Sequence, residues 1–218
     1  MNEVKISDMT MKQASLTLSF REKLELAKLL DRLNVSVIEL CGIEKIKVDS
    51  LLVKSVASAV KHSAVAVPVT LEPESVDIVW NALKEAKHPR LQVVAAVSSV
   101  QMEYIFHKKP EAMLTAVTEA IKSCREKCDD VEFIADDATR ADEAFLAEIV
   151  AAAIEAGATT ITIGDAAGAM LPYEFAEFLV CHGNCCSCSR RCNSRCQLLR
   201  CPFHGRRLRR QRRAPRCP

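Results

Sequence analysis

Polar and charged residues stand directly after short apolar runs at five places in this chain of 218 residues. Carboxylates can ligate a metal ion or move a proton, and lysine and arginine can hold an anionic substrate. Polar residues are also the ordinary composition of loops that face water. Because this set converges on one edge of the expected fold, we interpret it as a binding site. The residues are Asp8, Lys12 and Gln13; Glu39; Ser98, Ser99 and Gln101; Asp136, Asp137 and Arg140; and Asp165.

The apolar runs ahead of these residues predict six β-strands. Each run is short and rich in β-branched residues, and each is followed by an amphipathic helical pattern. Continuous apolar strands that alternate with helices predict a parallel sheet covered on both faces. An open doubly wound sheet and an eight-unit barrel both fit, and both bind ligands at the carboxyl ends of their strands. The predicted strands are residues 4–10, 35–40, 64–70, 91–98, 131–137 and 159–165.

The helices between these strands carry their own start and stop signals. Ser19 followed by Glu22 is the pattern of a capping box. Pro73 and Pro110 stand where prolines of a first helical turn belong. Gly157 predicts the end of a helix just before the sixth strand. These signals support the alternation of strands and helices up to about residue 180.

The charge of the chain divides it into two parts. Residues 181–218 hold eleven arginines and no lysine, aspartate or glutamate, which gives this tail a net charge of +11, whereas residues 1–180 carry −9. Eight of the eleven cysteines also lie in the tail. We therefore expect an α/β domain over residues 1–180 and an irregular, disordered, basic and cysteine-rich tail over residues 181–218.

The first part of the chain has the features of a cytoplasmic protein. Its three cysteines, Cys41, Cys124 and Cys128, are scattered, which suits a reducing compartment. No apolar run approaches the ~20 residues of a membrane span. The opening "MNEVKISDMT" lacks the apolar core of a signal peptide. We expect a cytoplasmic location and no membrane contact.

Three segments resemble the family of 2-isopropylmalate synthase and homocitrate synthase. The segment "VEFIADDATRADEAFLAEIVAAAIEAGATTITIGDAAG" (131–168) resembles that family's EF-S-x-ED-x-x-R-x-D motif, helix and P-D-T-x-G strand. Residues 6–40 are similar to its D-T-T-L-R-D-G opening, and residues 101–114 to its H-x-x-x-x-x-x-K-x-x-E region. The resemblance covers about residues 4–179. It implies an incomplete (β/α)8 TIM barrel of about six units, of the pyruvate carboxyltransferase type shared with HMG-CoA lyase.

The resemblance also implies an activity. The family carries out a Claisen condensation of acetyl-coenzyme A with a 2-oxo acid held on a divalent ion such as Mg²⁺, Mn²⁺ or Zn²⁺. We also expect that this protein can form a homodimer. The residues at its catalytic positions are Lys12, Glu39, Asp136 and Arg140, those at its substrate positions are Gln101, Asp165 and Ala166, and the one at its first metal-ligand position is Gln13.

Several of these positions depart from the family pattern. Lys12 replaces an arginine, Gln13 the metal-binding aspartate, Gln101 a histidine and Ala166 a threonine. The family's His-x-His pair has no counterpart, because strand seven would fall in the tail, where His182 and His204 are far apart. We therefore expect an acyltransferase-like barrel that has diverged or lost its activity and binds no resident metal.

The tail has three alternative interpretations. Its cysteines include one Cys-x-x-Cys pair, Cys185 and Cys188, but lack the apolar surroundings of a zinc module. Residues 204–216 resemble an arginine-rich arm that binds nucleic acid without reading sequence, which would make this a non-catalytic protein. Cys, Arg, Ser and Gly together fill 24 of its 38 places. This is the composition expected if the reading frame changes near Val180, and we favour this interpretation of the tail over the other two.

Overall fold

Within the residues that the structure describes, six parallel β-strands form one sheet, in which each strand pairs with the next along the chain. The computed structural model describes residues 4–13 and 18–185. A doubly wound sheet would reverse its strand order at a switch point, whereas an unbroken order 1 to 6 is that of consecutive barrel units. The strands are β1 (Ser7–Asp8), β2 (Val37–Glu39), β3 (Ala64–Val69), β4 (Pro89–Ala96), β5 (Val131–Asp136) and β6 (Thr160–Ile163).

In the described part of the chain, seven α-helices connect and follow the strands. Helix α1 begins after Ser19, whose side chain and that of Glu22 form the reciprocal capping box. Pro73 and Pro110 lie in the first turns of α3 and α5, and Gly157 ends α6 in a left-handed conformation. The helices are α1 (Phe20–Arg32), α2 (Ile46–Ala59), α3 (Pro73–Leu83), α4 (Ser99–Tyr104), α5 (Pro110–Lys127), α6 (Glu143–Ala156) and α7 (Pro172–Cys185).

The main apolar core lies between the sheet and the helices. Leu91 and Val93 of β4 and Phe133 of β5 are completely buried, as are Met113 and other apolar residues of the helices. Neighbouring residues along these strands point to the opposite face, so that Gln92 of β4 pairs with Glu132 of β5 on the concave side. The strands therefore separate an outer apolar core from an inner polar surface.

The structure confirms the six predicted strands and the incomplete barrel, and it changes some boundaries. Strand β1 is much shorter than residues 4–10, because the Asp8 carboxylate accepts hydrogen bonds from the Thr10 amide and hydroxyl at 3.0 and 3.1 Å. The chain then turns through a short 3-10 helix, Thr10–Lys12. Strand β4 begins two residues early, at Pro89, and α7 continues past residue 180 to Cys185. The tail from residue 186 onward lies outside the described residues.

Candidate active site

Lys12 lies at the carboxyl-end rim of the sheet, just beyond β1. Its Nζ atom is 3.3 Å from Oε2 of Glu39 and 3.4 Å from Oε1 of Gln92, so that it joins the first, second and fourth strands. Glu39 is only 2% exposed, and its other oxygen accepts a hydrogen bond from the Ser7 hydroxyl at 2.7 Å. A buried carboxylate needs such partners, and the Lys12 ammonium is one of them. Glu39 therefore holds Lys12 over the inner surface.

A chain of hydrogen bonds continues from Lys12 across the inner surface. Gln92 is fully buried and donates from Nε2 to Oε2 of Glu132 at 2.9 Å. Thr162 of β6 donates to the other Glu132 oxygen. Arg90 lies 3.7 Å from Glu132 and 2.9 Å from Asp130. The buried charges are thus paired, and the position of Lys12 is linked to strands four, five and six.

Three members of this network, Gln92, Glu132 and Arg90, are not among the site residues predicted from sequence. A signal for them exists, because polar residues at positions 90, 92 and 132 interrupt strands that are otherwise apolar. Period-two spacing within a strand places residues 90 and 92 on the same face. The pattern could have predicted a polar barrel interior, although only the register of β4 and β5 brings Gln92 beside Glu132.

Asp136 ends β5 close to this network. Burial raises the pKa of its carboxyl group, and the neighbouring charge of Asp137 raises it further. A hydrogen bond from the Gln101 side chain and the positive charge of Lys12 act in the opposite direction. Gly164 follows β6 beside it, and a Cβ atom there would lie 3.4 Å from Oδ1 of Asp136. Asp136 is therefore a carboxylate suited to exchange a proton near the Lys12 ammonium.

Asp137 and Arg140 form a separate pair that shapes the loop after β5. Asp137 is fully buried and has a left-handed backbone, with φ of 57°. Its carboxylate accepts hydrogen bonds from Nε of Arg140 at 2.8 and 3.0 Å and from the Ser98 hydroxyl at 2.5 Å. This arrangement ties the β5 loop to the end of β4. Arg140 is engaged in that support by its bonds to Asp137.

Asp165 organises the loop after β6 in a similar way. Its side chain accepts hydrogen bonds from the Thr139 hydroxyl at 2.6 Å and from the amides of Ala169 and Met170 at 3.2 and 3.1 Å. Burial raises the pKa of Asp165, but these hydrogen bonds outweigh it and the pKa is lowered overall. The next residue, Ala166, is exposed. Asp165 is thus a stable anion that supports the rim.

The residues present at the rim do not suit a hard divalent ion. Gln13 is exposed and offers a neutral amide where the family has a carboxylate, and both oxygens of Asp8 are engaged by Thr10. Within residues 4–13 and 18–185 there is no group of three or more His, Cys, Asp or Glu side chains that could hold a metal ion.

None of the helices α1 to α7 in the described part of the chain has the length and the apolar character of a transmembrane span.

Comparison with known proteins decides the family. The HMGL-like family model matches residues 4–193, which is most of the chain. The chain belongs to the HMGL-like family. The chain is 35% identical to 2-isopropylmalate synthase of Halalkalibacterium halodurans over 178 residues, which cover 80% of this chain and 35% of the relative. For 2-isopropylmalate synthase of Pyrococcus furiosus, the identity is 36% over 181 residues, 81% of this chain and 36% of the relative.

Two solved structures share the fold of this chain. The chain superposes on HMG-CoA lyase of Bacillus subtilis with a TM-score of 0.66 at 14% identity, covering 82% of this chain and 62% of that one. The superposition on hydroxymethylglutaryl-CoA lyase of Pseudomonas aeruginosa has a TM-score of 0.65 at 13% identity and covers 84% of this chain and 62% of that one. These similarities establish the barrel architecture. The chain spans about a third of the length of the curated relatives it matches.

Proposed function

We propose that the rim is the 2-oxo acid site of a diverged acyltransferase of the 2-isopropylmalate synthase type. The observation that carries this proposal is the Lys12 ammonium, held at 3.3 Å by Glu39 and at 3.4 Å by Gln92 beside the protonatable Asp136. A cation fixed in this way can bind the carboxylate or keto oxygen of an oxo acid without reorganising. The relatives named 2-isopropylmalate synthase support the choice of substrate class.

The other predicted site residues take supporting roles in this proposal. Lys12 contacts the oxo acid and Glu39 positions Lys12. Asp136, at one of the family's catalytic positions, lies beside the bound acid, and Gln101 orients its carboxyl group. Arg140 and Asp165 hold the loops after β5 and β6. Ala166 presents no hydroxyl group to a substrate where the family has a threonine. The acyl donor implied by the family is acetyl-coenzyme A.

The condensation itself is the step that we expect to be impaired. The family reaction uses a divalent ion as a Lewis acid, and Gln13 and its described surroundings do not suit such an ion. The family's His-x-His position lies outside the described residues. Lysine also lacks the planar fork of donors by which an arginine engages a carboxylate or an oxyanion. Binding of an oxo acid is therefore retained in our proposal, whereas turnover is not.

Two measurements test this proposal on the full chain. Calorimetry with a panel of 2-oxo acids should show binding that weakens about tenfold or more in Lys12→Gln, because a charge-assisted hydrogen bond is lost. Lys12→Arg should bind more tightly than Lys12→Gln, and Lys28→Gln on the exposed face of α1 should match the wild type. Equal binding by wild type and Lys12→Gln, with unchanged thermal stability, would contradict the site.

The second measurement addresses turnover. Release of free coenzyme A from acetyl-coenzyme A should stay at background with every oxo acid in the presence of Mg²⁺, Mn²⁺ or Zn²⁺. Metal-dependent release by the wild type would show that the condensation is intact. In the alternative proposal the protein is non-catalytic and its arginine-rich tail binds polyanions; it is supported by the opposite charges of residues 1–180 and 181–218.

A further inference from the structure

A groove on the outer surface of the barrel lies between α2 and α3 and shares no residue with the network around Lys12. Its volume is about 450 Å³. Two of its apolar side chains, Ile46 and Leu51, are each 58% exposed. Large apolar groups left in water beside a concave surface are typical of an interaction site. We call this surface the α2/α3 groove, and its lining includes Ile46, Lys47, Leu51, Lys54 and Ile78.

Two lysines accompany the apolar part of the groove. Lys47 and Lys54 are exposed, and neither forms an ion pair in the described part of the chain. They are seven residues apart on α2, which places them on one face of the helix and about 10.5 Å apart along its axis. Asp49, the acidic residue of α2, is already engaged by the backbone amides of Glu44 and Lys45, at 3.0 and 2.6 Å. The groove therefore combines apolar surface with two available positive charges.

These charges limit which surfaces can occupy the groove. The tail over residues 181–218 carries +11, so that it is repelled by the two lysines. Two copies of the groove that face each other would also bring lysines together, which disfavours a symmetric dimer through this surface. The occupant must instead present negative charges beside a surface against which Leu51 can pack.

The outer face of α6 has the complementary pattern. Glu148 and Glu155 are exposed and seven residues apart, and α6 contains no lysine or arginine. Neither glutamate forms an ion pair within the residues that the structure describes. Ala151 and Ala152 lie between them and are partly exposed, so that a large side chain such as Leu51 can approach the helix. The spacing of the two glutamates on α6 thus equals the spacing of the two lysines on α2.

We propose that the α2/α3 groove binds α6 of a second copy of this chain, with Leu51 against the alanines and the two lysines paired with the two glutamates. A helix that lays one face into a groove between helices is a recurrent mode of protein recognition. Consecutive units of an eight-unit barrel place α6 about half a turn around the barrel from the groove, so that a chain does not fill its own groove.

The contact is heterologous, because two different surfaces meet. Each copy that joins leaves one groove and one α6 face free, and the assembly therefore grows head to tail instead of closing as a dimer. Neither surface includes a residue of the rim. The inference is therefore independent of the proposed oxo acid site.

Sedimentation velocity of the full chain over a series of concentrations, at about 150 mM salt to screen weak surface attraction, tests the inference. The average mass of the wild type should rise beyond that of a dimer as concentration increases. Lys47→Glu/Lys54→Glu should weaken self-association about tenfold or more, because the groove then repels α6. Lys108→Glu/Lys109→Glu makes the same change of net charge at other exposed positions and should match the wild type. This control includes any attraction between residues 1–180 and the basic tail.

Charge reversal on both surfaces identifies the occupant. Glu148→Lys/Glu155→Lys should also weaken self-association. An equimolar mixture of this protein with Lys47→Glu/Lys54→Glu should associate again, because every groove then meets an α6 face of opposite charge. A chain with all four changes has the net charge of the wild type and should self-associate like it.

The apolar part of the contact has its own test. Leu51→Ser should weaken self-association about fivefold or more, because the contact loses buried apolar surface. Leu33→Ser is the matched control, since Leu33 follows α1 and is 74% exposed outside the groove. It should match the wild type.

Several results would overturn the inference. A wild type that stays monomeric would do so, and so would a dimer that none of the four charge changes affects. Charge-reversed proteins that are folded by circular dichroism but fail to associate when mixed would contradict the pairing. Self-association that is lost with the groove changes but kept with the α6 changes would show that the groove binds a different surface.

Discussion

At the scale of single residues, the inner surface depends on pairing of buried charges. Glu39 and Glu132 are almost fully buried, and each accepts hydrogen bonds from side chains of other strands. A buried charge without partners is strongly unfavourable, so these carboxylates define where Lys12 and Gln92 can lie. Asp136 differs from them, because burial and the charge of Asp137 disfavour its ionised form.

Replacing Asp136 by asparagine should therefore stabilise the fold. The raised pKa means that ionised Asp136 lowers stability at neutral pH, and this effect disappears as pH falls below the ordinary aspartate pKa of about 3.9. Asp136→Asn should raise the melting temperature at pH 7 and have little effect near pH 3. Glu155→Gln, an exposed change of equal charge on α6, should not stabilise. A lower melting temperature for Asp136→Asn at pH 7 would contradict the assignment.

Asp31 is the clearest structural carboxylate of the outer layer. It accepts hydrogen bonds from the amides of Lys61, His62 and Ser63 at 2.8 to 3.0 Å and so joins α1 to the start of β3. Burial raises its pKa, but these amides outweigh the burial and lower the pKa to about 2. Ionised Asp31 therefore stabilises the folded state fully above about pH 4, and this stabilisation is lost as the pH falls toward 2.

Asp31→Ala should lower the free energy of unfolding at pH 7 by about 2 to 4 kcal/mol, because three amides lose their acceptor. Urea denaturation at pH 7 and at pH 2 measures the change, and the difference between wild type and variant should shrink at the lower pH. Asp129→Ala, at a fully exposed carboxylate, should cost much less. A difference that stays constant between the two pH values would show that ionisation of Asp31 is unimportant.

At the scale of elements, the helix ends fix how each βα unit closes. Helix α6 stops at Gly157, whose φ of +112° is strained for any residue with a side chain. A Cβ atom there would also lie 3.1 Å from Cγ of Arg125 in α5. The glycine thus allows both the sharp turn into β6 and the close approach of α5 and α6.

Gly157→Ala should destabilise the protein by about 2 kcal/mol, from backbone strain together with the contact to Arg125. Gly168→Ala is the matched control, because its φ is +61° but no atom lies within 4 Å of the added Cβ. It should cost about 1 kcal/mol. Thermal or urea unfolding of the two variants gives the comparison. Equal losses would mean that backbone conformation alone matters at Gly157.

At the scale of the whole molecule, the charge division is the dominant feature. Residues 1–180 carry −9 and residues 181–218 carry +11, so the two parts interact with polyanions in opposite ways. An arginine-rich segment binds phosphates by releasing counterions, whatever its origin. Such binding reports the charge of the tail and carries no information about the rim.

The full chain should therefore retain RNA or DNA at ~50 mM salt without sequence preference, and the affinity should fall steeply by ~200 mM. Electrophoretic mobility shift assays with unrelated oligonucleotides, run between ~50 and ~200 mM salt, measure this affinity. Replacing the six arginines between residues 206 and 213 by glutamine should remove most of the binding, whereas Lys108→Gln/Lys109→Gln should change it little. A sequence-specific complex that persists at physiological salt would favour the nucleic-acid-binding alternative.

The sequence determined the strand and helix alternation, because local signals specify it. Short, continuous apolar runs rich in β-branched residues located all six strands. Ser19, Pro73, Pro110 and Gly157 marked helix ends through rules that act within one or two turns. The polar residues after the strands were also readable, since strands in a parallel sheet share one carboxyl-end edge. Family motifs then distinguished a barrel from a doubly wound sheet, which periodicity does not.

Tertiary structure decided which polar residues act together. The pairing of Lys12 with Gln92 spans 80 positions, and the pairing of Gln92 with Glu132 spans 40, so neither follows from local spacing. They form because the register of parallel strands places their side chains on the same inner face, where a buried charge must find a partner. The same long-range packing assigned Arg140 and Asp165 to loop support and left Lys12 and Asp136 together at the rim.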